Sequence, residues 1–423
     1  MEAVIMAGGK GTRIAAVDMS VPKPMIKICD KPILQYQIEC LERQNIRDII
    51  LVIGHLGSII EDYFGDGKSF GVRIRYIKED TPLGTAGALY YLRGLTEADF
   101  LLINGDIIWN IDIERFVNAH MQMGGLATIF THPNDHPFDS GVIETDDSNA
   151  VIRWLNKEDE RRWYKNRVNA GLHILSAKLL EKFYQPQKVD LDREILKPLI
   201  QERQLFAYDS PEYVKDMGTP ERYYEVVNDL QTGIVEKRSL ASKQKAVFLD
   251  RDGTINKYVG FLTNIADMEL IDGAAEAVKL INRSGYLAIV VTNQPVIARG
   301  GVTLNELQEI HNKFETLLGL KGAYIDDLLF CPHHPDKGFD GEIPEYKIDC
   351  MCRKPKPGML LESAGKYNID IEQSWMIGDS QSDIDAGMNA GCRVAGIGSK
   401  ITAQGIPVFD NLLECINYIL NNS

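Results

Sequence analysis

The stretch FLDRDGT, residues 248–254, places two carboxylates directly after a short apolar run at 246–249. A second stretch, MAGGKGTR at residues 6–13, follows the apolar run 3–5 in the same way. Short apolar runs predict buried strands, and α/β folds bind their ligands in the loops that follow such strands. The chain is therefore expected to carry two phosphate-handling sites, each at the C-terminal end of a strand.

The length of the chain, 423 residues, predicts two domains, because single domains usually stop growing at roughly 250 to 300 residues. Apolar runs alternate with amphipathic stretches in both halves, which predicts an α/β fold for each. We expect domains at 1–230 and 245–423. The polar stretch 231–244 is the expected linker, although Val235 and Leu240 could anchor it. Expected strands lie at 48–53, 73–77, 100–103, 246–249, 288–291, 375–377 and 394–397, and an expected helix lies at 33–43.

The composition argues against broad nucleic-acid or anionic-membrane binding, because the formal net charge is −14. No apolar stretch reaches the roughly 18 residues of a membrane span, and no basic segment with an apolar secretion core opens the sequence. We therefore expect a cytoplasmic protein whose partners are small molecules, with an oligomer left open. An anionic substrate would be met by local cations or by metals.

The first site combines several motifs. Glycines in MAGGKGTR let the backbone wrap closely around phosphates, and a lysine in PKPM, residues 22–25, supplies a further cation. LGTAG at 83–87, NGD at 104–106, VNAG at 168–171 and DMGT at 216–219 follow. Together these motifs resemble the sugar-1-phosphate nucleotidyltransferases across the whole first domain. Their nearest likeness is to the heptose 1-phosphate guanylyltransferases.

This resemblance implies a Rossmann-like, glycosyltransferase-A-like fold. It also implies a reaction in which a sugar 1-phosphate oxygen attacks the α-phosphorus of a nucleoside triphosphate and pyrophosphate leaves. Asp106 and Asp216 are implied to bind Mg²⁺, and Arg13 and Lys23 are the implied catalytic cations. Asn169 and Gly171 are implied to lie along the sugar. The implied nucleotide-binding residues are Gly8, Gly9, Gly11, Thr12, Arg13, Gly84, Thr85 and Gly105.

Lys157 is a candidate for binding the sugar phosphate. The related families place an acidic residue before this lysine, whereas Asn156 stands there in this chain and a basic insert, 157–167, follows. A solvated charged face is the alternative interpretation of Lys157. For the domain as a whole, the alternative is a sugar-nucleotide-binding module without catalysis.

The second site continues from FLDRDGT through TN at 292–293, a lysine at 354 and GDSQSD at 378–383. These ordered motifs resemble the haloacid dehalogenase phosphatases, which implies a Rossmannoid fold. Asp250 is then the nucleophile that forms an aspartyl phosphate, and Asp252 protonates the leaving alcohol and later activates water. Asp250, Asp252 through its backbone carbonyl, and Asp379 are implied to bind Mg²⁺, with Asp383 supporting them. Thr292 and Lys354 are implied to stabilise the transferring group, and Arg251, Asn293 and Arg353 to bind the substrate.

A cysteine cluster precedes Lys354. CPHH at 331–334 and CMC at 350–352 supply thiolates and an imidazole, which suit a closed tetrahedral Zn²⁺ site. The pattern resembles the heptose bisphosphate and histidinol phosphate phosphatases, and implies Cys331, His333, Cys350 and Cys352 as the ligands of a structural zinc loop. His334 is the rival ligand, and reduced cysteines without metal are the alternative.

The motifs DRDGTIN at 250–256, TNQ at 292–294, IARG at 297–300 and CRKPKPGM at 352–359 resemble the D-glycero-D-manno-heptose 1,7-bisphosphate 7-phosphatases. Pro295 and Val296 stand where that family has Ser-Gly, which leaves the sugar or anomer preference open. The resemblances together imply removal of the C7 phosphate, followed by transfer of a nucleotidyl group, GMP from GTP, to the α-heptose 1-phosphate. UTP or dTTP as the donor, and a histidinol phosphate phosphatase in the second domain, are the alternatives.

Overall fold

The computed structural model describes residues 1–8, 20–338 and 340–422. These residues form two compact units. The first unit contains Met1–His132, Ile143–Trp154 and Asn169–Ser239, and the second contains Pro133–Val142, Leu155–Val168 and Leu240–Ser423. The predicted α/β class is confirmed for both, because each is built on a mixed or parallel sheet with helices.

The main sheet of the first unit has a parallel centre. Strand β1 lies between β4 and β6, and all three run in the same direction, so the loops after them meet at one edge. Strand β11 pairs antiparallel with β6 and extends the sheet on that side. Strands β2 and β3 pair with each other apart from this sheet, as do β7 and β13. The strands as far as residue 216 are β1 Ala3–Met6, β2 Lys27–Ile28, β3 Lys31–Pro32, β4 Asp48–Ile53, β5 Arg73–Lys78, β6 Phe100–Asn104, β7 Ile107–Asn110, β8 Ala127–His132, β9 Val142–Thr145, β10 Val151–Leu155, β11 Val168–Leu175, β12 Leu205–Asp209 and β13 Tyr213–Asp216.

Helices cover this sheet with their apolar faces. Helix α1 follows Pro32 directly, and it buries Ile33, Leu34, Ile38 and Leu41, which share one face at helical spacing. The predicted helix at 33–43 is therefore confirmed. The helices of this part are α1 Ile33–Arg43, α2 Gly57–Phe64, α3 Ile113–Met123, α4 Pro198–Gln201, α5 Pro220–Gln231 and α6 Ile234–Lys237.

The sheet of the second unit is parallel throughout its described strands, in the order β16-β15-β14-β17-β18-β19. The chain leaves central β14 to form β15 on one side and later forms β17 on the other, which opens a crevice at the strand ends. Its strands are β14 Lys245–Leu249, β15 Tyr286–Asn293, β16 Asp327–Cys331, β17 Trp375–Gly378, β18 Arg393–Ile397 and β19 Val408–Phe409, and its helices are α7 Ala274–Asn282, α8 Leu304–Gly319, α9 Gly358–Tyr367, α10 Gln381–Ala390 and α11 Leu412–Asn421. Among all described helices, none combines the length and the apolarity that crossing a bilayer would demand.

The compact units differ from the predicted boundaries in two ways. Residues 133–142 and 155–168, which the sequence assigned to the first domain, group with the second unit. The predicted linker contains α6, and its Ile234 and Val235 are buried against Tyr213 and Met217 of the first unit. Local sequence patterns do not reveal the first feature, because it depends on contacts between segments far apart in the chain. The second agrees with the expectation that Val235 could anchor the linker.

Asp327 at the start of β16 stabilises the second unit through a buried charge. Its carboxylate accepts hydrogen bonds from Lys366 Nζ at 2.8 Å and from the Tyr367 hydroxyl at 2.7 Å. Burial raises the pKa of this carboxyl, but Lys366 and Lys165 outweigh burial and lower it to about 2.

Replacing Asp327 with Asn should lower the free energy of unfolding by roughly 2 kcal/mol near neutral pH, because the charged partners remain while the carboxylate is lost. The stabilisation is complete above the ordinary carboxyl pKa of 3.8 and is lost as the pH falls from there through about 2. Urea denaturation across that range measures the difference. The exposed Asp272, changed to Asn, serves as the control, and a pH-independent difference would contradict the assignment.

Candidate active sites

The site of the second unit is centred on a buried ammonium. Lys354 Nζ lies 2.6 Å from Asp250 Oδ1, 2.6 Å from Asp383 Oδ1 and 2.7 Å from the carbonyl oxygen of Val291. Burial disfavours its charge, but Asp250 and Asp383 raise the pKa of Lys354 above its ordinary value. Burial raises the pKa of Asp250 to about 7; Lys354 opposes this shift, and Asp383 adds to it. A carboxylate and a cation are thus held together at the end of β14.

Asp252 lies in a different environment from Asp250. Its carboxylate accepts hydrogen bonds from Arg251 Nη2 at 2.8 Å, Asn256 Nδ2 at 2.9 Å and Gln294 Nε2 at 2.8 Å. Burial raises the pKa of Asp252, but these partners, Arg251 foremost, outweigh burial and hold it below its usual range. The two carboxylates of DRD therefore lie in different electrostatic environments, Asp250 beside Lys354 and Asp252 beside Arg251.

Three carboxylates at this edge of the sheet could share a cation. Oxygen atoms of Asp250, Asp379 and Asp383 all lie within 4.8 Å of one another, and hard cations such as Mg²⁺ prefer such oxygen ligands. Gly253, at φ +89°, allows this approach, because an added Cβ would lie 2.5 Å from Asp379 Oδ2. The Asp252 backbone carbonyl, also expected in this set, stays a prediction; the Asp252 side chain is engaged by its neighbours, and the Asp383 carboxylate joins the cluster.

Paired hydrogen bonds with Asn293 hold the backbone of Lys354 in place. Asn293 Nδ2 donates to the carbonyl oxygen of Lys354 at 3.0 Å, and the Lys354 backbone N–H donates to Asn293 Oδ1 at 3.0 Å. Thr292 is buried, and its hydroxyl accepts a hydrogen bond from Gln294. Arg353 is partly exposed and donates to the carbonyl oxygen of His333 at 3.2 Å. Asn293, predicted to contact the substrate, thus uses its amide to position the lysine.

The cysteine cluster comes together beside this loop. Sulfur atoms of Cys331, Cys350 and Cys352 lie 3.2 to 3.5 Å apart. His333 Nδ1 lies 3.4 Å from Cys352 Sγ and 3.7 Å from Cys331 Sγ. Ligands at about 2.0 to 2.3 Å from a tetrahedral ion lie within about 4 Å of each other, so the set fits one metal. His333, rather than His334, is the histidine in this group.

The site of the first unit begins at the end of β6. Asp106 Oδ2 accepts a hydrogen bond from Lys23 Nζ at 2.6 Å. Strand β13 brings Asp216 opposite Ile107, and the Met217 backbone N–H donates to the carbonyl oxygen of Asp106 at 3.1 Å. Arg222 Nη1 holds both oxygens of Asp216 at 2.9 Å. The structure thus places Asp106 directly before β7 and Asp216 at the end of the paired strand β13, and each carboxylate has a basic side chain beside it.

The start of β11 lies against the same strand end. Gly171 adopts φ +79°, and a Cβ there would lie 2.6 Å from Asn104 Nδ2. Its N–H donates to Asn169 Oδ1 at 3.1 Å. Gly105 also lies close to β1, because an added Cβ would be 2.6 Å from the carbonyl oxygen of Met6. The NGD and VNAG motifs are therefore adjacent in space.

Gly84 and Thr85 lie in the loop that precedes residues 87–92. Gly84 adopts φ +81° against the carbonyl oxygen of Val189, and the Thr85 hydroxyl accepts a hydrogen bond from Leu191 N at 2.7 Å. Gly8 sits close to the carboxylate of Glu79, whose pKa burial raises.

Some predicted residues are not part of these groups. Gly9, Gly11, Thr12 and Arg13 lie outside the described residues. Lys157 is exposed in a turn after β10, in a segment of the second unit, whereas Asn169 and Gly171 belong to the first. The role of Lys157 at the sugar phosphate stays a prediction.

Sequence reasoning missed the partners of Asp252. Asn256 is the last residue of the motif DRDGTIN, and Gln294 is the last residue of TNQ. Both lie in motifs quoted above, but no role was predicted for either. Arg251 was predicted to bind the substrate, but its side chain is fully buried and directed at Asp252. The sequence alone does not show whether an arginine between two aspartates contacts the first aspartate, the second aspartate or the substrate.

Replacing Arg251 with Met should destabilise the second unit by about 3 to 5 kcal/mol, because it leaves the Asp252 carboxylate largely buried without its charged partner. Chemical denaturation measures the change. The exposed Arg283, changed to Met, is the matched control. Equal stability of the two variants would show that Arg251 does not hold Asp252.

Relatives of the candidate sites

The chain belongs to the nucleotidyl transferase family, whose model matches residues 2–233, and its second part belongs with the heptose bisphosphate 7-phosphatases. A HAD-hydrolase-like family model also matches residues 351–406. The confirmed organisation is thus a nucleotidyltransferase-like part followed by a haloacid dehalogenase-like part.

Individual relatives match one part each. D-glycero-alpha-D-manno-heptose-1,7-bisphosphate 7-phosphatase of Photorhabdus laumondii is 44% identical over 36% of this chain and 80% of its own length. The corresponding beta enzyme of Yersinia pestis is 37% identical over 40% of this chain and 90% of its own length. Mannose-1-phosphate guanylyltransferase catalytic subunit beta of Xenopus tropicalis is 32% identical over 53% of this chain, which spans 62% of that relative's length.

Proposed function

We propose that this chain is a bifunctional enzyme that removes the C7 phosphate of D-glycero-α-D-manno-heptose 1,7-bisphosphate and then transfers GMP from GTP to the resulting heptose 1-phosphate. The products are phosphate, pyrophosphate and GDP-heptose. The observation that carries the proposal is that one chain holds both acidic constellations, Asp250 with Asp379 and Asp106 with Asp216, within parts related to enzymes for these two steps.

The first step is divided between Asp250 and Asp252, as the resemblance to the haloacid dehalogenase phosphatases implies. Asp250 is the nucleophile: its carboxylate attacks phosphorus, the bond from phosphorus to the C7 oxygen breaks, and an aspartyl phosphate forms. Asp252 gives a proton to the leaving alkoxide and takes one from the water that later attacks the phosphoenzyme. Lys354, 2.6 Å from Asp250, neutralises charge on the transferring group.

The second step needs no covalent enzyme intermediate. An oxygen of heptose 1-phosphate attacks the α-phosphorus of GTP in line, and the bond to pyrophosphate breaks. Lys23 lies beside Asp106, where it neutralises phosphate charge, and Asn169 and Gly171 orient the sugar. Gly8, Gly84, Thr85 and Gly105 hold the nucleotide, together with the glycines, Thr12 and Arg13 of the MAGGKGTR loop.

Both sites suit Mg²⁺, which when bound supplies positive charge that offsets the repulsion between anionic reactants. Asp250, Asp379 and Asp383 would hold it in the second unit. Asp106 and Asp216 would hold it in the first. Arg353, partly exposed beside the Lys354 loop, would bind the second phosphate of the bisphosphate.

The order of the steps follows from the chemistry of the intermediate. Removal of the C7 phosphate leaves the anomeric phosphate, which is the nucleophile that nucleotidyl transfer requires. The α anomer is proposed because the alpha-specific relative is 44% identical over 150 residues, against 37 to 39% over 174 to 180 residues for the beta-specific ones.

The decisive measurement follows ³¹P NMR after α- and β-heptose 1,7-bisphosphate are added separately with Mg²⁺, first without GTP and then with it. We expect loss of the C7 signal from the α anomer, followed by pyrophosphate and GDP-heptose signals. Phosphate release without pyrophosphate would leave a first domain that only binds, or another nucleotide donor. No release from either anomer would refute the heptose assignment, and histidinol phosphate would be tested next.

Single substitutions separate the two activities. Asp250→Asn should reduce phosphate release at least about a thousandfold while sparing nucleotidyl transfer to heptose 1-phosphate, and Asp106→Asn should do the reverse. Loss of both activities in either variant would contradict two independent sites.

We further propose that Cys331, His333, Cys350 and Cys352 bind a structural Zn²⁺. Cys350→Ser should lower the zinc content from about one per chain, measured by elemental mass spectrometry, because one thiolate of the closed tetrahedral set is lost. Phosphate release should fall as well, since Cys352 leads directly to Arg353 and Lys354. The exposed Cys29, changed to Ser, is the control. Unchanged metal content would exclude this ligand set.

A further inference from the structure

The crevice of the second unit has an exposed lysine to which no role has been assigned above. Lys400 lies in the loop that follows β18, and its Nζ donates a hydrogen bond to Asp379 Oδ2 at 2.8 Å. The Lys400 side chain is 63% exposed, whereas that of Asp379 is 16% exposed. A cation is thus held from the solvent side on one carboxylate of the candidate Mg²⁺ site.

Other carboxylates of this crevice pair with buried cations instead. Lys354, which contacts Asp250, has a side chain that is only 1% exposed. Arg251, which contacts Asp252, has a fully buried side chain. Of these three cations, Lys400 is therefore the one that an anion arriving from solvent can meet without any rearrangement of the core.

The loop that carries Lys400 is tied to the start of helix α10. Gln381 Oε1 accepts hydrogen bonds from the Thr402 backbone N–H at 3.2 Å and from the Thr402 hydroxyl at 3.0 Å. Gln381 Nε2 donates to Asp385 Oδ1 at 2.8 Å, which holds the amide in place. Gln381 is the first residue of α10, two positions after Asp379. The same segment therefore supplies the carboxylate and fixes the loop of the lysine that contacts it.

An aromatic ring also restrains the ammonium. Lys400 Nζ lies 4.8 Å from the centroid of the Tyr258 ring, a distance at which the face of a ring attracts a cation. Tyr258 is 64% exposed and lies two residues beyond the motif DRDGTIN. Lys400 is therefore held by groups that follow two different strands, β14 and β17, whose ends border the crevice.

The charge balance of the crevice favours a further cation at the substrate. Its carboxylates and buried cations are Asp250, Asp252, Asp379 and Asp383, and Lys354 and Arg251. A bound Mg²⁺ would offset the two negative charges that remain, and a phosphate monoester then brings up to two more. A positive charge that contacts the phosphate reduces this repulsion, and it does so most effectively where little water screens it.

We propose that Lys400 is a substrate-binding residue of the phosphatase reaction, which donates a hydrogen bond to a non-bridging oxygen of the phosphate being transferred. Its Nζ lies beside Asp379, and oxygen atoms of Asp379 and of the nucleophile Asp250 lie within 4.8 Å of each other. Because a carboxylate has two oxygens, Asp379 can offer one to Lys400 and the other to a metal ion. The ligand class is a phosphate monoester dianion.

This inference deepens the proposed function, on which it rests for the attack by Asp250. It does not depend on the identity of the sugar, because the contact is to the phosphate that leaves. Arg353, which is proposed to bind the second phosphate, has a separate task.

The test uses the full chain with Mg²⁺ and three variants. Lys400→Met removes the charge and keeps the length of the side chain, and Lys400→Arg keeps a cation. Lys321→Met makes the first change at an exposed lysine just after α8 and is the matched control. Hydrolysis rates are measured for heptose 1,7-bisphosphate and for p-nitrophenyl phosphate, which has a single phosphate. Calorimetry measures Kd for inorganic phosphate.

Lys400→Met should lower kcat/KM for both substrates about tenfold and raise Kd for inorganic phosphate about tenfold, because one charge-assisted hydrogen bond to the phosphate is lost. Lys400→Arg should stay within about threefold of wild type in these quantities. The Mg²⁺ concentration that gives half-maximal activity should change less than about twofold, since the carboxylates remain. Lys321→Met should behave as the wild type does.

An unchanged Kd for inorganic phosphate in Lys400→Met would overturn the inference. So would a loss confined to the bisphosphate, which would assign Lys400 to the second phosphate, or a change in the Mg²⁺ requirement alone, which would make it a support for Asp379. Failure of the heptose assignment gives a different result, because the wild-type protein would then release no phosphate from the heptose bisphosphate. In that case p-nitrophenyl phosphate hydrolysis and phosphate binding still decide the role of Lys400.

Discussion

The phosphatase part depends on the interactions of the buried Lys354 ammonium. A buried charge requires partners on every side, and Lys354 has Asp250, Asp383 and the carbonyl oxygen of Val291. These groups come from the ends of β14 and β15 and from the start of α10, so one side chain joins the elements that border the crevice. The Cys/His cluster lies immediately before this lysine in the chain, and Asn293 holds its backbone.

The first unit also places cations beside the carboxylates of its candidate site, but it does so with two separate ion pairs. A chain with net charge −14 has no general attraction for triphosphates, so positive charge must be placed locally. Lys23 and Arg222 do this by pairing with Asp106 and Asp216. Each carboxylate that would bind a metal is thereby kept beside a cation, which balances the site before an anionic substrate arrives.

Local sequence patterns predicted the fold well, since strands such as β4 and helix α1 are set by apolar residues at fixed spacing. The clustering of Asp250 and Asp379 was also predictable, because each follows a parallel strand and such strands end at one edge of the sheet. The direction of Arg251 was not, because it depends on Asn256 and Gln294 around Asp252. The attachment of residues 155–168 was not predictable either, since Arg167 and Glu315, which form a buried ion pair there, are far apart in the sequence and polar residues in a charged insert normally face water.

Helix α6 and the segment 155–168 also bear on how such a chain can arise in evolution. Helix α6 buries Ile234 and Val235 within the first unit, beyond the point where a simple join would be placed. The segment 155–168 interrupts the first part and folds with the second. A junction placed after residue 230 would remove α6 from the first unit and would separate residues 133–142 and 155–168 from the rest of the second. A cut at that position therefore divides both compact units.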